Sequence, residues 1–221
     1  MSETFKSQIK DLVDDLKAVF THVGLGGEAA EYKLLTQSFL YKFLNDKFLY
    51  QAKSIDASNS YEKLIDMSEE DYTWLLKFIG TSTAWLKPDQ LIESLHRQQN
   101  EATFYEIFEN TLNQIAIDNN DIFSVHTDGD TAIRLFDERL ITDTISDSSK
   151  RNEVAKAIIN LLTRVKFDET IFSQGFDFFS TLFEYMIKDY NKDGGGKYAE
   201  YYTPHSVAKI IADILVGDDK P

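Results

Sequence analysis

The chain has no cysteine among its 221 residues. Disulfides and cysteine-ligated zinc sites are thereby excluded, and the absence fits a cytoplasmic protein. Proline is confined to Pro88, Pro204 and Pro221. No apolar run approaches the roughly 18 residues of a membrane span, so no membrane partner is expected. The opening MSETFKSQIKDLVDDL lacks a basic stretch followed by an apolar core, so it does not read as a secretory signal. Basic residues are outnumbered, 23 against 37 acidic ones, for a net charge of −14. Such a field repels phosphate backbones, which makes the chain a poor nucleic-acid binder on its own. The charge has two readings: plain solubility, or an acidic surface covered in part by a basic partner or a basic part of a larger protein.

Catalytic motifs are also missing. His22, His96, His126 and His205 are scattered, and none forms the paired-histidine helix motif of zinc enzymes. No G-x-S-x-G elbow occurs. No catalytic residue and no metal ligand is assigned.

Helical periodicity dominates what is present, and almost nothing alternates with period two. The expected fold class is all-α: a multi-helix N-terminal domain over residues 1–170, then a connecting helix and a further segment over 171–221. Ile9, Leu12, Val13, Leu16 and Phe20 recur at helical spacing, and Gly24, Gly26 and Gly27 end that helix. The next helix carries Leu35, Phe39, Phe43 and Leu44 on one stripe, with Leu34, Leu40 and Phe48 around it. Apolarity on so many sides predicts a central position in the core. Ser68 is a candidate cap for EEDYTWLLKFI, and Pro88 suits the first turn of PDQLIESLHRQQ. Thr103 is a candidate cap for FYEIFENTLNQIA. Asn119, Asn120, Asp128 and Gly129 mark turns around Ile122–Val125, a short strand or loop, and a helix is expected from Ala132 to Leu140. Ser148 or Ser149 opens a helix with Val154, Ile158, Leu161, Leu162 and Val165 facing inward. The aromatic-rich FDFFSTLFEYMIKDY is the last long helix before a glycine segment.

That segment, DYNKDGGGKYAEYYTPHSVAKIIADIL from Asp189 to Leu215, admits three readings. Asp189, Asn191, Asp193, Gly194 and Glu200 match the calcium-loop pattern D-x-[DN]-x-[DN]-G-x5-E in full. Yet Gly196 replaces the usual apolar residue, and Lys197 places an ammonium against the cation. Glu200 should begin an exit helix, whereas Pro204 would clash with its carbonyl at a cost of about 3 kcal/mol. A phosphate loop fails more simply. Asn191 stands where the first glycine belongs, and Tyr198 where a magnesium-binding hydroxyl belongs. In the third reading Thr203 caps a helix and Pro204 is its first residue, where proline is favoured. Val207, Ile210, Ile211 and Leu215 then face inward. The free N–H groups at that helix start attract an anion such as a carboxylate, and the neighbouring tyrosines can wall a small organic cofactor.

The stretch GGGKYAEYYTPHSVAKIIADIL resembles the start of the methyltransferase domain in the modification subunit of type I restriction–modification systems. Those DNA adenine-N6 methyltransferases carry a G-x-[FY]-[FY]-T-P-x-x-[VL] signature, matched here at Tyr202, Thr203 and Pro204. YKLLTQSFLYKFLNDKF and the helix running into the motif are also similar to the family's N-terminal region. The resemblance implies that Glu200, Tyr201, Tyr202, Thr203, Pro204 and His205 approach S-adenosyl-L-methionine. It implies a specificity subunit, a restriction subunit and duplex DNA as partners, with the helical domain helping to enclose the DNA. The family's [DN]-P-P-[FY] catalytic loop does not occur in these residues, so the chain is expected to be a fragment that is inactive alone. The competing expectations are a stand-alone helical interaction module, and a calcium-binding protein through Asp189–Glu200.

Overall fold

The apolar stripe read on the first helix is the one that the fold buries. In the computed structural model, α1 (Glu3–His22) has Ile9, Leu12, Val13, Leu16 and Phe20 at no more than 6% exposure. The structure describes residues 3–27, 29–123, 125–126, 132–167, 171–172 and 205–216. The chain divides into two compact units, Met1–Phe176 and Asp177–Pro221.

In the first unit α1 ends in a turn with Gly24 and Gly27 at positive φ, a conformation that side-chain-bearing residues resist. The Gly27 N–H then donates to the Glu31 carboxylate at 2.8 Å, which fixes the start of α2 (Ala29–Ile55). The long helix α2 is central, as its sequence predicts. Leu34, Leu35, Phe39, Tyr41, Leu44 and Phe48 are all buried, and α2 touches α1, α4 (Glu69–Ile79), α8 (Leu140–Thr144) and α9 (Arg151–Arg164). Leu40 and Phe43 are only half-buried, so the stripe is turned slightly from its expected bearing. The helix α9 covers the other side of the core. Its Val154, Ile158, Leu161 and Leu162 are buried as expected, while Val165, just past its end, is half-buried.

Shorter elements complete the shell. The Ser60 hydroxyl caps α3 (Tyr61–Ile65). The Ser68 hydroxyl accepts the Asp71 N–H at 3.1 Å and caps α4, which ends at Gly80 with φ +63°. Pro88 opens a single 3₁₀ turn, Pro88–Gln90, that leads into α5 (Ile92–Gln98). Next come α6 (Phe104–Asp118) and the one-turn α7 (Asn120–Phe123). The architecture is all-helical as expected, apart from a two-residue antiparallel ladder of β1 (Val125–His126) with β2 (Ala132–Ile133). Among the described residues no helix is long and apolar enough to cross a membrane.

Three local expectations are corrected. Thr103 stands at the start of α6 but its side chain makes no capping bond. Asn152 on α9 accepts the Tyr105 N–H instead, at 3.0 Å. The helix expected over Ala132–Leu140 is replaced by β2 and a turn, and α8 begins only at Leu140. Side-chain bonds hold that turn. Gln37 donates to Asp137 Oδ2 at 2.8 Å, and the Asp137 N–H donates back to Gln37 Oε1 at 3.0 Å. Phe136 beside it is 1% exposed, so burial outweighs local helix bonding. Lastly, neither Ser148 nor Ser149 caps α9. Both lie in a 3₁₀ turn whose cap is Asp147.

Candidate functional site

The last described helix, α10 (His205–Val216), begins directly after Pro204. Its start lies within one residue of the one expected from the proline, within the usual uncertainty of helix ends. Its first backbone N–H groups have no partner within the helix and are a natural place for an anion. Of the six expected cofactor-contacting residues, His205 opens α10, whereas Glu200, Tyr201, Tyr202, Thr203 and Pro204 lie outside the described residues. The calcium-pattern residues Asp189, Asn191, Asp193, Gly194 and Glu200 lie outside them too. Among the described residues no group of three or more acidic or histidine side chains is placed to hold a metal.

The inward face expected for α10 is corrected. Of the four residues expected inward, Val207, Ile210 and Ile211 are 43%, 57% and 48% exposed, as is the neighbouring Ile214 at 73%, while the Leu215 side chain lies outside the described ones. Periodicity identifies the face that would be buried; it does not supply an element to bury it.

The helical unit has a cleft of about 640 Å³ that sequence reading passed over. It lies between α2, the starts of α3 and α5, and the segment after α9. At its base Lys42 and Asp46, one turn apart on α2, form an ion pair with their side chains only 4% and 8% exposed. The Lys42 ammonium meets both Asp46 oxygens, at 3.0 and 2.9 Å. Asn45 Nδ2 donates to Asp46 at 2.9 Å, and the Phe167 N–H donates to Asp46 at 2.8 Å. Asn45 Oδ1 in turn accepts the Ile92 N–H at 2.9 Å. Three side chains of α2 thus hold the start of α5 and the chain leaving α9.

Burial pushes the Lys42 ammonium below the usual lysine range, partly offset by Asp46. With both Asp46 oxygens engaged, the cluster is a satisfied pin; it offers no acid–base pair to a substrate. The rim carries Lys53 and Lys166 alongside Glu62 and Glu93, so the cleft has no single sign of charge with which to draw phosphate. The one sequence signal was a Lys and an Asp four apart inside an apolar helix. Such spacing is ordinary on exposed helix faces.

Comparison with known proteins bears on the second unit. The family model described as N-6 DNA Methylase matches residues 174–221. No curated protein and no solved structure matches the chain. The family match takes in the glycine segment, Tyr202, Thr203, Pro204 and α10, and is consistent with a fragment of an N6-adenine methyltransferase.

Proposed function

We propose that the chain is the N-terminal portion of a DNA adenine-N6 methyltransferase subunit of a type I restriction–modification system. The observation that carries this reading is the N-6 DNA methylase match over residues 174–221, which takes in Tyr202, Thr203, Pro204 and α10. In this reading Glu200, Tyr201, Tyr202, Thr203, Pro204 and His205 flank S-adenosyl-L-methionine. The residues fit that group in one described respect. The helix that opens at His205 has first-turn N–H groups without partners inside the helix, which suit the methionine carboxylate. The cofactor, when bound, supplies the methyl group for the adenine amine. The target amine is paired inside the duplex, so its base has to leave the stack before transfer.

The chain's own residues do less than the whole reaction requires. They hold no [DN]-P-P-[FY] sequence to position the adenine, so the 221 residues alone leave DNA unmethylated. The helical unit then serves assembly: it helps to enclose DNA and contacts the specificity subunit, with the restriction subunit joining the same complex. A net charge of −14 is unfavourable for phosphate, so in this reading basic surfaces of the partner subunits carry most of the DNA backbone contacts.

The test is the reading frame past Pro221. A glycine-rich strand motif followed by [DN]-P-P-[FY] is expected there. A stop codon would overturn the reading in favour of a self-contained helical module. Incubation of the chain with duplex DNA and radiolabelled cofactor is a second check, and clear incorporation of label would contradict the proposed inactivity.

A further inference from the structure

On α4, Trp74 and Phe78 lie one turn apart on the solvent side, 53% and 72% exposed. The helix cannot roll to hide them. Its other face buries Tyr72, Leu75 and Ile79, and the Tyr72 hydroxyl donates to the Leu86 carbonyl. The Tyr72 ring also sits 6.4 Å from Phe48 of α2. Ser68 caps one end of α4 and Gly80 closes the other, so the two aromatics are displayed on a fixed support. Two large apolar rings held in water on a rigid helix are a marked surface feature.

Their surroundings indicate what the surface accepts. Glu69, Glu70, Thr73, Trp74 and Lys77 line a shallow depression. The Lys77 ammonium lies 4.6 Å from the centre of the Trp74 ring, so the indole already attracts a cation. Glu70 precedes Trp74 by one turn, and Phe78 follows it by one turn. The strip therefore runs from carboxylate to indole to phenyl over roughly 12 Å of helix axis. A second copy of the chain would bring another −14 charges to this acidic end, whereas a basic partner is attracted to it.

We propose that the Trp74–Phe78 face of α4 docks a basic, amphipathic protein segment. An arginine or lysine of that segment meets Glu69 and Glu70, and apolar side chains one to two turns along pack on Trp74 and Phe78. The inference stands on α4 alone and does not rest on the methyltransferase reading.

The test uses the full chain and three synthetic helical peptides at physiological salt. One carries arginine and leucine on one face, a second has glutamate for each arginine, and a third has serine for each leucine. Calorimetry is expected to give binding of the first peptide only. Trp74→Ser and Phe78→Ser should each weaken it about tenfold, the scale of a hot-spot residue. Glu69→Gln with Glu70→Gln should flatten its salt dependence. Unchanged melting temperatures would show that the variants stay folded, as expected for exposed positions. No binding of the first peptide, equal binding of the glutamate peptide, or unchanged affinity in both aromatic variants would overturn the proposal. So would a dimer in light scattering that Phe78→Ser dissociates, or a Trp74 shielded from acrylamide quenching in the free chain.

Discussion

Asn119 satisfies both backbone polar groups of Trp85. Its Oδ1 accepts the Trp85 N–H at 2.6 Å, and its Nδ2 donates to the Trp85 carbonyl at 2.8 Å. The side-chain amide thus acts as one rung of a strand ladder. Nδ2 also donates to the Ile115 carbonyl at 2.9 Å, one turn back along α6. Trp85 in turn donates its indole N–H to the Gly80 carbonyl at 2.6 Å. The ends of α4 and α6 are therefore tied through one residue pair. Asn119 is 1% exposed, so water is not at hand to replace these bonds.

Asn119→Leu keeps the branched heavy-atom framework and removes every side-chain bond. Two groups of Trp85 would be left unpaired in a part-buried site, at about 1–3 kcal/mol for each unsatisfied group. The expected loss is about 2–4 kcal/mol by urea denaturation. A loss below about 0.5 kcal/mol, the range of surface substitutions, would show that the pairing contributes little.

The Lys42–Asp46 pair leads to a non-additive outcome. Lys42→Met leaves a buried carboxylate with two N–H donors but no counter-charge, and a loss of about 3–5 kcal/mol is expected. Asp46→Leu alone strands the ammonium and should cost a similar amount. The double variant removes both charges, and apolar replacement of a buried pair is often neutral. It should therefore be far more stable than the summed single losses of about 6–10 kcal/mol predict, with a coupling of at least about 3 kcal/mol in a denaturation cycle. Strict additivity would mean that the two side chains act independently.

Local physics accounts for what could be read in advance. The α1 stripe, the central place of α2 and the Ser68 cap follow from spacing and hydroxyl chemistry within a few residues. What escaped depends on neighbours distant in sequence. Asp137 is held by Gln37, one hundred positions away, and that bond displaces the helix expected around it. Asp46 takes the Phe167 N–H across 121 positions, so its burial was invisible beside an ordinary Lys and Asp four apart. The α10 stripe was legible as a stripe, yet its exposure was not, because exposure depends on other elements. The candidate cofactor residues came from a short motif, and His205 opens a helix where that motif predicts one.

Tyr41 gives a pH dependence with a definite sign. Burial holds its hydroxyl well above the ordinary 10, with Asp89 adding to the effect, and the hydroxyl donates to the Gln90 carbonyl at 2.7 Å. The folded pKa is raised above the unfolded one, so above pH 10 the unfolded chain loses this proton while the folded chain keeps it. Stability is therefore complete below pH 10 and declines as pH rises past it. Tyr72 is shifted in the same direction, mainly by burial, and adds to the decline. Tyr41→Phe should cost about 1 kcal/mol at neutral pH for the lost bond. It should also make the decline between pH 10 and 11 shallower than in the parent. An equal slope in both proteins, measured by urea denaturation, would exclude Tyr41 as a source of the alkaline limb.

The start of α6 separates a cap inferred from sequence from the one that the fold uses. Thr103 occupies the capping position, yet its hydroxyl makes no bond to the helix. Asn152, 47 positions away in sequence from Tyr105, accepts the Tyr105 N–H at Oδ1, and its Nδ2 donates to the Ala102 carbonyl. One side chain of α9 thus closes the first turn of α6 and ties it to the preceding loop. Removing a cap costs about 0.5–2 kcal/mol. Asn152→Ala is therefore expected to lose about 1–2 kcal/mol, while Thr103→Ala stays within about 0.5 kcal/mol of the parent. Because α9 contacts α5, α6 and α1, the Asn152 variant should lower the melting temperature of the whole helical unit in one transition. The reverse ranking, with Thr103→Ala the more damaging, would place the cap on Thr103 as its sequence position alone implies.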